Sequence, residues 1–350
     1  DSAPAELVDC VGHDDLMVLM FTSGTTGRSK AVMLSERNFF TTVECQVKFG
    51  DAMLDYKHEH MPEDKNDVLS NFAILPLFHL GTFICLFVWA CKGWALNLSA
   101  DIRDFYRDLG LMHSDAIAVA PMLMEAIYKD VKRGRRARLN GVWNPCGSSA
   151  MFDGAMLAEL AQQGMMITQV YGMTETCGDG IINYEQDEKH IRAVGKPDDH
   201  AEYKLDETGE ICIRGGCVML GYYKDPEATA EVLDADGWFH TGDLARVDED
   251  GFYYITGRKK NIIILDNGEN VSPEELENLL SKCEAVKECI VREKGKKICA
   301  VIYCGEADQQ TVRDFITETN RTLPLYKRMS AVEFSTEPLP RTGTGKLLRK

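Results

Sequence analysis

The sequence predicts an α/β protein in three parts: a parallel sheet wrapped by helices, then a β-rich subdomain, then a small α+β C-terminal domain. Three observations predict it. Short apolar runs alternate with helical patterns through the first half, β-rich pieces closed by Asp-Gly and Thr-Gly turns take over after residue 180, and a separately capped amphipathic helix follows residue 258.

In chain order, 16–21, 72–75, 94–98, 116–120, 141–146 and 165–170 read as strands. Residues 36–49, 83–91, 103–109, 122–132 and 153–162 read as the helices between them, the rhythm of strand–crossover–strand units. From 181 to 254 the pieces "GEICIRG", "GWFHTGD" and "DGFYYITG" supply the β-rich layer. In "SPEELE", Ser272 is the N-cap, Pro273 fills the first turn and Glu275 closes a capping box. The expected domains are therefore 1–180, 181–259 and 260–350, with no internal repeat and no low-complexity tract.

Bulk properties narrow the function. The 350 residues are 45% apolar and 27% charged, an ordinary globular balance. With 39 basic against 55 acidic side chains the net charge is −16, which repels polyanions and argues against nucleic-acid binding. A phosphate ligand must be gripped locally, by backbone N–H groups, a few cations and a divalent metal.

Twelve cysteines show no C-x-x-C pair and no zinc-finger spacing, which points to a reduced, cytoplasmic protein. His58 and His60, flanked by Glu59 and Glu63, read as a solvated loop in preference to a metal site. Residues 80–98, broken by Gly81, Lys92 and Gly93, read as a buried helix followed by a strand, so no transmembrane segment is expected. No basic and apolar leader opens the chain, and a first residue of Asp1 suggests that the numbering starts inside a longer protein.

The chemistry begins at "TSGTTGRSK", 22–30: two glycines, five hydroxyl side chains and Lys30 between the strand ending at Phe21 and a helix starting near Ser35. Glycines let backbone N–H groups approach phosphate oxygens, hydroxyls donate hydrogen bonds, and the lysine supplies charge. The spacing differs from G-x-x-x-x-G-K-[ST], which removes the P-loop NTPase reading. Alone, the segment also fits a bland Gly/Ser/Thr loop.

"FTSGTTGRSKAVMLS" at 21–35 resembles the signature phosphate loop of the adenylate-forming superfamily of acyl-CoA synthetases, peptide-synthetase adenylation domains and luciferases. Six further motifs agree in the family's order: "LPLFHLG" at 75–81, "GSSA" at 147–150, "YGMTE" at 171–175, "HTGD" at 240–243, "GRKKNIIILDNGENVSPEELE" at 257–277 and "LPRTGTGKLLRK" at 339–350.

The resemblance implies a role for each matched residue. Thr22, Ser23, Gly24, Thr25, Thr26, Gly27 and Lys30 would hold the phosphates of ATP. Tyr171 would stack on adenine, with Gly172 beside it in the nucleotide site and Gly147 and Ser148 along the purine edge. Thr174 would donate to the α-phosphate and Glu175 would bind Mg²⁺, a hard cation that prefers oxygen. Asp243 and Arg258 match the ribose contacts. Lys346 matches the lysine that bridges carboxylate and α-phosphate, where a cation offsets their repulsion. His79 falls in the segment that lines the acyl pocket of relatives and reads equally well as a core histidine.

The family rotates its C-terminal domain between two half-reactions, which makes that domain mobile and puts the hinge at Lys260–Asn261. Gly268 and Glu269 would then approach the thiol channel. Departures are few: Ser29 stands where proline is usual, Ala31 where glycine is usual, Glu36 where histidine is frequent and Asn261 at the common hinge aspartate.

Asn261 and the apolar "NIIIL" resemble long-chain fatty acyl-CoA synthetases, and the pocket segments carry no charge that would read an amino group. The implied function is activation of a medium- or long-chain fatty acid by MgATP to acyl-AMP and pyrophosphate, followed by thioester formation with coenzyme A. Two alternatives stay open: loading of a carrier-protein phosphopantetheine, and a nucleotide-binding fragment without turnover. Relatives carry a long region before the phosphate loop, and a chain lacking it would expose an interface able to self-associate.

Overall fold

The protein is described by a computed structural model that covers residues 12–22, 29–99, 101–148, 152–178, 180–265, 269–295, 297–341 and 347–348. Two compact units result. The first is Asp1–Lys204, Cys212–His240 and Val247–Tyr254; the second is Leu205–Ile211, Thr241–Arg246 and Ile255–Lys350.

The first unit opens with a hairpin, β1 (Leu16–Thr22) against β2 (Lys30–Ser35), antiparallel. The second strand corrects the expectation that the glycine-rich loop leads straight to a helix. In "KAVMLS", Val32 and Leu34 alternate inward and are fully buried, a period of two that favours a strand. Ser35 then caps α1 (Glu36–His60): its side chain accepts from the Asn38 amide, while Asn38 Oδ1 accepts from Ser35 N at 2.8 Å.

Helix α1 runs eleven residues beyond the expected end at Phe49. Gly50 does not stop it, because Gly50 faces the Trp94 ring, where a Cβ would lie 3.2 Å from the indole. The buried Met53 and Lys57 continue the inward stripe. His58 and His60 are thus in a helical last turn instead of a loop; His58 pairs with Asp67 at 2.7 Å and His60 stacks on Tyr56.

Strand–helix units follow: β3 (Ser70–Ala73), α2 (Leu80–Lys92), β4 (Ala95–Leu98), α3 (Phe105–Leu111), β5 (Ala116–Val119), α4 (Pro121–Lys132), β6 (Asn144–Ser148), α5 (Gly154–Gln162) and β7 (Thr168–Gly172). The last two strands of this sheet are β8 (Gly180–Asn183) and β9 (Lys196–Pro197). The order is β4-β3-β5-β6-β7-β8-β9, parallel through β7 and antiparallel at β8 and β9.

Residues of α3, α4 and α5 pack with Phe72, Ile117 and Val119 in one core. Residues of α1 and α2 pack with Leu69, Ala116, Trp143 and the β1–β2 hairpin in another. The sheet is therefore covered on both faces, as parallel sheets require.

The β-rich stretch supplies β10 (Ala201–Leu205), β11 (Glu210–Gly215), β12 (Gly221–Tyr222), β13 (Phe239–Val247) and β14 (Tyr253–Arg258), with α6 (Pro226–Ala230) after β12. Strand β12 joins β2, and the other four form a sheet in the order β10-β11-β13-β14. Its turns are made by aspartates: the side chains of Asp206, Asp234 and Asp248 accept amide hydrogens two and four residues on.

The C-terminal part of the second unit has its own core. It comprises β15 (Ile263–Ile264) paired with β16 (Asn270–Val271), α7 (Pro273–Leu280), the hairpin β17 (Glu288–Lys294) and β18 (Lys297–Tyr303), α8 (Gln309–Thr322), and β19 (Ala331–Ser335) parallel to β18. Leu276, Leu280, Ile298, Ile302, Val312 and Ile316 are buried together there. Ser272 caps α7 as expected, accepting from Glu275 N at 3.4 Å. The box is only half made, because the Glu275 carboxylate turns to Lys327 Nζ at 2.7 Å.

No described helix is long and apolar enough to cross a membrane. Residues 80–98 form the expected helix and strand.

The N-terminal edge of the parallel sheet is clipped by a buried carboxylate. Asp115, 4% exposed, accepts from Trp143 Nε1 at 3.0 Å and from the Ser70 amide and hydroxyl, each at 2.8 Å. Removing it leaves several buried donors unpaired. Asp115→Ala is expected to lower stability by about 3 kcal/mol in urea unfolding followed by tryptophan fluorescence. A loss below about 0.5 kcal/mol, typical of a surface change, would contradict the clip.

Candidate active site

In an open α/β sheet, ligands bind outside the carboxyl ends of the strands, where the strand order switches direction. Here the order switches at β3, whose neighbours β4 and β5 lie on opposite sides. Segment 74–79 leaves the carboxyl end of β3, Gly147 is the penultimate residue of β6 and Gly172 closes β7. Three separate motifs of the sequence thus share one edge of the sheet.

His79 is exposed at the N-cap position of α2 and makes no side-chain cap bond; Leu77 and Phe78 beside it are 44% and 80% exposed. Gly147 is buried, with Val119 and Gln169 as its strand partners, and a Cβ there would meet the Phe152 ring at 2.4 Å. The Ser148 side chain lies outside the described residues. Tyr171 is only 9% exposed, and Gly172 pairs with Gly180 in the turn to β8.

Thr174 and Glu175 occupy a single 3-10 turn, Thr174–Thr176, between β7 and β8. The turn is closed by Cys177 and Gly178, both left-handed at φ 54° and 75°, and by Gly178 N donating to Met173 O at 2.8 Å. Cys177 is fully buried in the same core as Leu80 of α2, so the turn is packed from below.

The hairpin register sets Thr22 opposite Lys30. Residues 23–28 connect them, so Ser23, Gly24, Thr25, Thr26 and Gly27 fall outside the described residues, as do Gly268 and Lys346.

Segment 216–223, which the sequence reading passed over, links these pieces. The buried Asn38 donates through Nδ2 to Gly216 O at 2.7 Å and Val218 O at 2.8 Å. Met219 N donates to Glu175 O at 2.9 Å, Leu220 N to Met33 O at 3.0 Å and Tyr223 N to Ala31 O at 2.8 Å. Tyr222, opposite Val32, donates its hydroxyl to Glu175 Oε1 at 2.9 Å, and Lys30 Nζ stands 4.4 Å from its ring centroid. Burial, reinforced by the Glu175 charge, pushes the Tyr222 phenol far above its ordinary pKa, so it stays a donor. The available signal was "GYYKDPEAT": Asp225 caps α6, and Thr229 Oγ1 accepts from Tyr222 N at 2.9 Å, a local fold that fixes the tyrosine.

The second unit carries the other two sequence-selected residues as a pair. Arg258 Nε meets Asp243 Oδ1 at 2.7 Å, and its NH2 reaches Oδ2 at 3.4 Å. Asp243 is 5% exposed. It follows Gly242 at φ 73°, a conformation that favours glycine, and Gly242 N donates to Glu210 Oε1 at 2.7 Å. Glu210 is held in turn by Lys259 Nζ at 2.6 Å, a contact that raises the lysine pKa. Lys259–Asn261 form a 3-10 turn, and Asn261 Nδ2 donates to Glu274 Oε1 at 2.6 Å.

A family model described as AMP-binding enzyme matches residues 2–223, and one described as AMP-binding enzyme C-terminal domain matches 275–346. The chain is 30% identical to 4-coumarate–CoA ligase 3 of Oryza sativa subsp. japonica, over 97% of this chain and 64% of that protein. It is also 30% identical to the long-chain-fatty-acid–CoA ligase of Salmonella typhimurium, over 96% of this chain and 61% of that protein. It therefore spans less than two thirds of either ligase.

O-succinylbenzoate coenzyme A synthetase from Bacillus subtilis, solved in complex with AMP, superimposes with a TM-score of 0.78 at 25% identity, covering 97% of this chain and 69% of that one. A family match across more than half of the chain, and a shared fold across nearly all of it, agree with the ordered motifs: the chain belongs to the AMP-binding enzyme family.

Proposed function

We propose that this chain is the ATP-handling part of an AMP-forming acyl-CoA ligase. A carboxylate oxygen attacks the α-phosphorus of ATP, and the bond to the bridging oxygen breaks, releasing pyrophosphate. A thiolate then attacks the acyl carbonyl of the mixed anhydride, and AMP leaves. The observation that carries the reading is the joint attachment of Lys30 and the Thr174–Glu175 turn to segment 216–223, which gathers a cation, a hydroxyl and a carboxylate in one unit.

Each residue has a role in this reading. Lys30 and the 22–27 loop neutralise the leaving pyrophosphate, and Thr174 donates to the α-phosphate. Tyr171, Gly172, Gly147 and Ser148 take the adenine. Asp243, oriented by Arg258, accepts from the ribose hydroxyls, and Lys346 offsets the repulsion between carboxylate and phosphate. His79 borders the acyl site, and Gly268 the path of the thiol.

Glu175 suits Mg²⁺: it is a hard carboxylate on a hydrogen-bonded turn, with one oxygen bonded to Tyr222 and the second able to ligate a cation. When bound, Mg²⁺ would supply Lewis-acid charge at the phosphates.

The acid is proposed to be apolar, with medium- and long-chain fatty acids first; the uncharged Leu77–Phe78 segment and the Salmonella ligase support this. The plant relative, named for 4-coumarate, makes aromatic acids a second class to test.

Pyrophosphate release by the protein, across fatty and aromatic acids with and without coenzyme A, tests the reading. Release is expected to require both ATP and an acid, and acid-independent or absent release would refute it. Asp243→Asn is expected to weaken ATP binding about tenfold in calorimetry, the cost of one charge-assisted acceptor. Unchanged affinity would remove Asp243 from the ribose site.

A further inference from the structure

We propose that Tyr222 is the positioning residue that sets the two charged groups of the phosphate end, its hydroxyl orienting the Glu175 carboxylate and its ring seating the Lys30 ammonium. The proposal rests on the reading of Glu175 as the Mg²⁺ ligand, and it adds a residue that none of the seven motifs contains.

The geometry is specific to a tyrosine. The hydroxyl donates to Glu175 Oε1 at 2.9 Å, a bond that restrains the carboxylate and occupies one of its two oxygens. The opposite use of the same side chain is the ring face, 4.4 Å from Lys30 Nζ, within the range where an ammonium is attracted to the ring quadrupole. Phenylalanine would keep the second contact and lose the first, and leucine would lose both.

Tyr222 itself cannot drift. It is 6% exposed, its amide is bonded to Thr229 Oγ1, and Leu220 N and Tyr223 N, which bracket it, are bonded to Met33 O and Ala31 O of β2. Gly221 before it, at φ 134°, sits where a Cβ would lie 2.9 Å from the Thr229 methyl, so the approach of α6 to β12 is close. Glu175 is held at its other end by Met219 N, three residues before Tyr222. Glu175 is therefore tethered at its backbone oxygen and at its side chain to one segment, whose Tyr222 ring also faces the Lys30 ammonium. Such second-layer support orients a metal ligand and tunes its affinity.

The test is calorimetric titration of ATP into this chain over a series of Mg²⁺ concentrations, for the wild type, Tyr222→Phe, Tyr222→Leu and Glu175→Gln, with thermal unfolding of each. Tyr222→Phe is expected to raise the Mg²⁺ concentration needed for half-maximal ATP affinity about tenfold, with affinity recovered at high Mg²⁺. Tyr222→Leu is expected to weaken ATP binding at saturating Mg²⁺ as well, because Lys30 loses its seat.

A Tyr222→Phe protein with the wild-type Mg²⁺ dependence overturns the proposal. So does a loss of affinity that follows the fall in melting temperature and is not restored by Mg²⁺. Glu175→Gln separates the two layers. If it too leaves the Mg²⁺ dependence unchanged, the metal-ligand reading fails with the proposal; if it shifts the dependence while Tyr222→Phe does not, only the role of Tyr222 fails. A wild-type chain that binds no ATP at any Mg²⁺ concentration overturns both.

Discussion

The proposed phosphate end of this protein depends on the double attachment of segment 216–223. On one side it pairs with β2, whose first residue is Lys30; on the other it bonds to the backbone and side chain of Glu175. Among the described residues, that segment supplies hydrogen bonds to both the hairpin carrying the glycine-rich loop and the 3-10 turn carrying Thr174 and Glu175, in addition to the hydrophobic core they share. Apolar packing is non-directional and does not fix a carboxylate oxygen to a few tenths of an ångström. Hydrogen bonds at defined angles do.

The parallel sheet divides its labour between its two edges. At the amino edge, Asp115 satisfies Trp143 and Ser70 and ties β3, β5 and the entry to β6 together. At the carboxyl edge lie the exposed Leu77–His79 segment, the close-packed Gly147 and the turn closed by the left-handed Cys177 and Gly178. In the proposed reading, rigidity at one edge lets the other carry residues whose backbone shapes serve ligand binding more than stability.

Much of this was legible in the sequence because it is local. Alternating apolar runs gave strands and helices within a few residues of their observed positions, and Ser272 capped the helix that "SPEELE" announces. What escaped depends on distant partners. Strand β2 was hidden between a loop and a cap, though Val32 and Leu34 carry its period of two. The second half of α1 depends on Trp94 receiving Gly50, a contact across 44 residues. The capping box at α7 is half made because Lys327, 52 residues on, takes the Glu275 carboxylate. Tyr222 reaches Glu175 across 47 residues, so neither motif nor periodicity marks it.

At the site, the family motifs selected residues that the fold brings to one edge of a sheet, and in the second unit they selected Asp243 and Arg258, which bind each other. The central claim is that these residues serve reversible adenylation of a carboxylate. Exchange of labelled pyrophosphate into ATP, measured without coenzyme A, tests it most directly, because only an enzyme that forms and reverses acyl-AMP returns the label. Exchange that appears on adding an apolar acid and disappears without it is the predicted result. No exchange with any acid, by a protein that still binds MgATP, would contradict it.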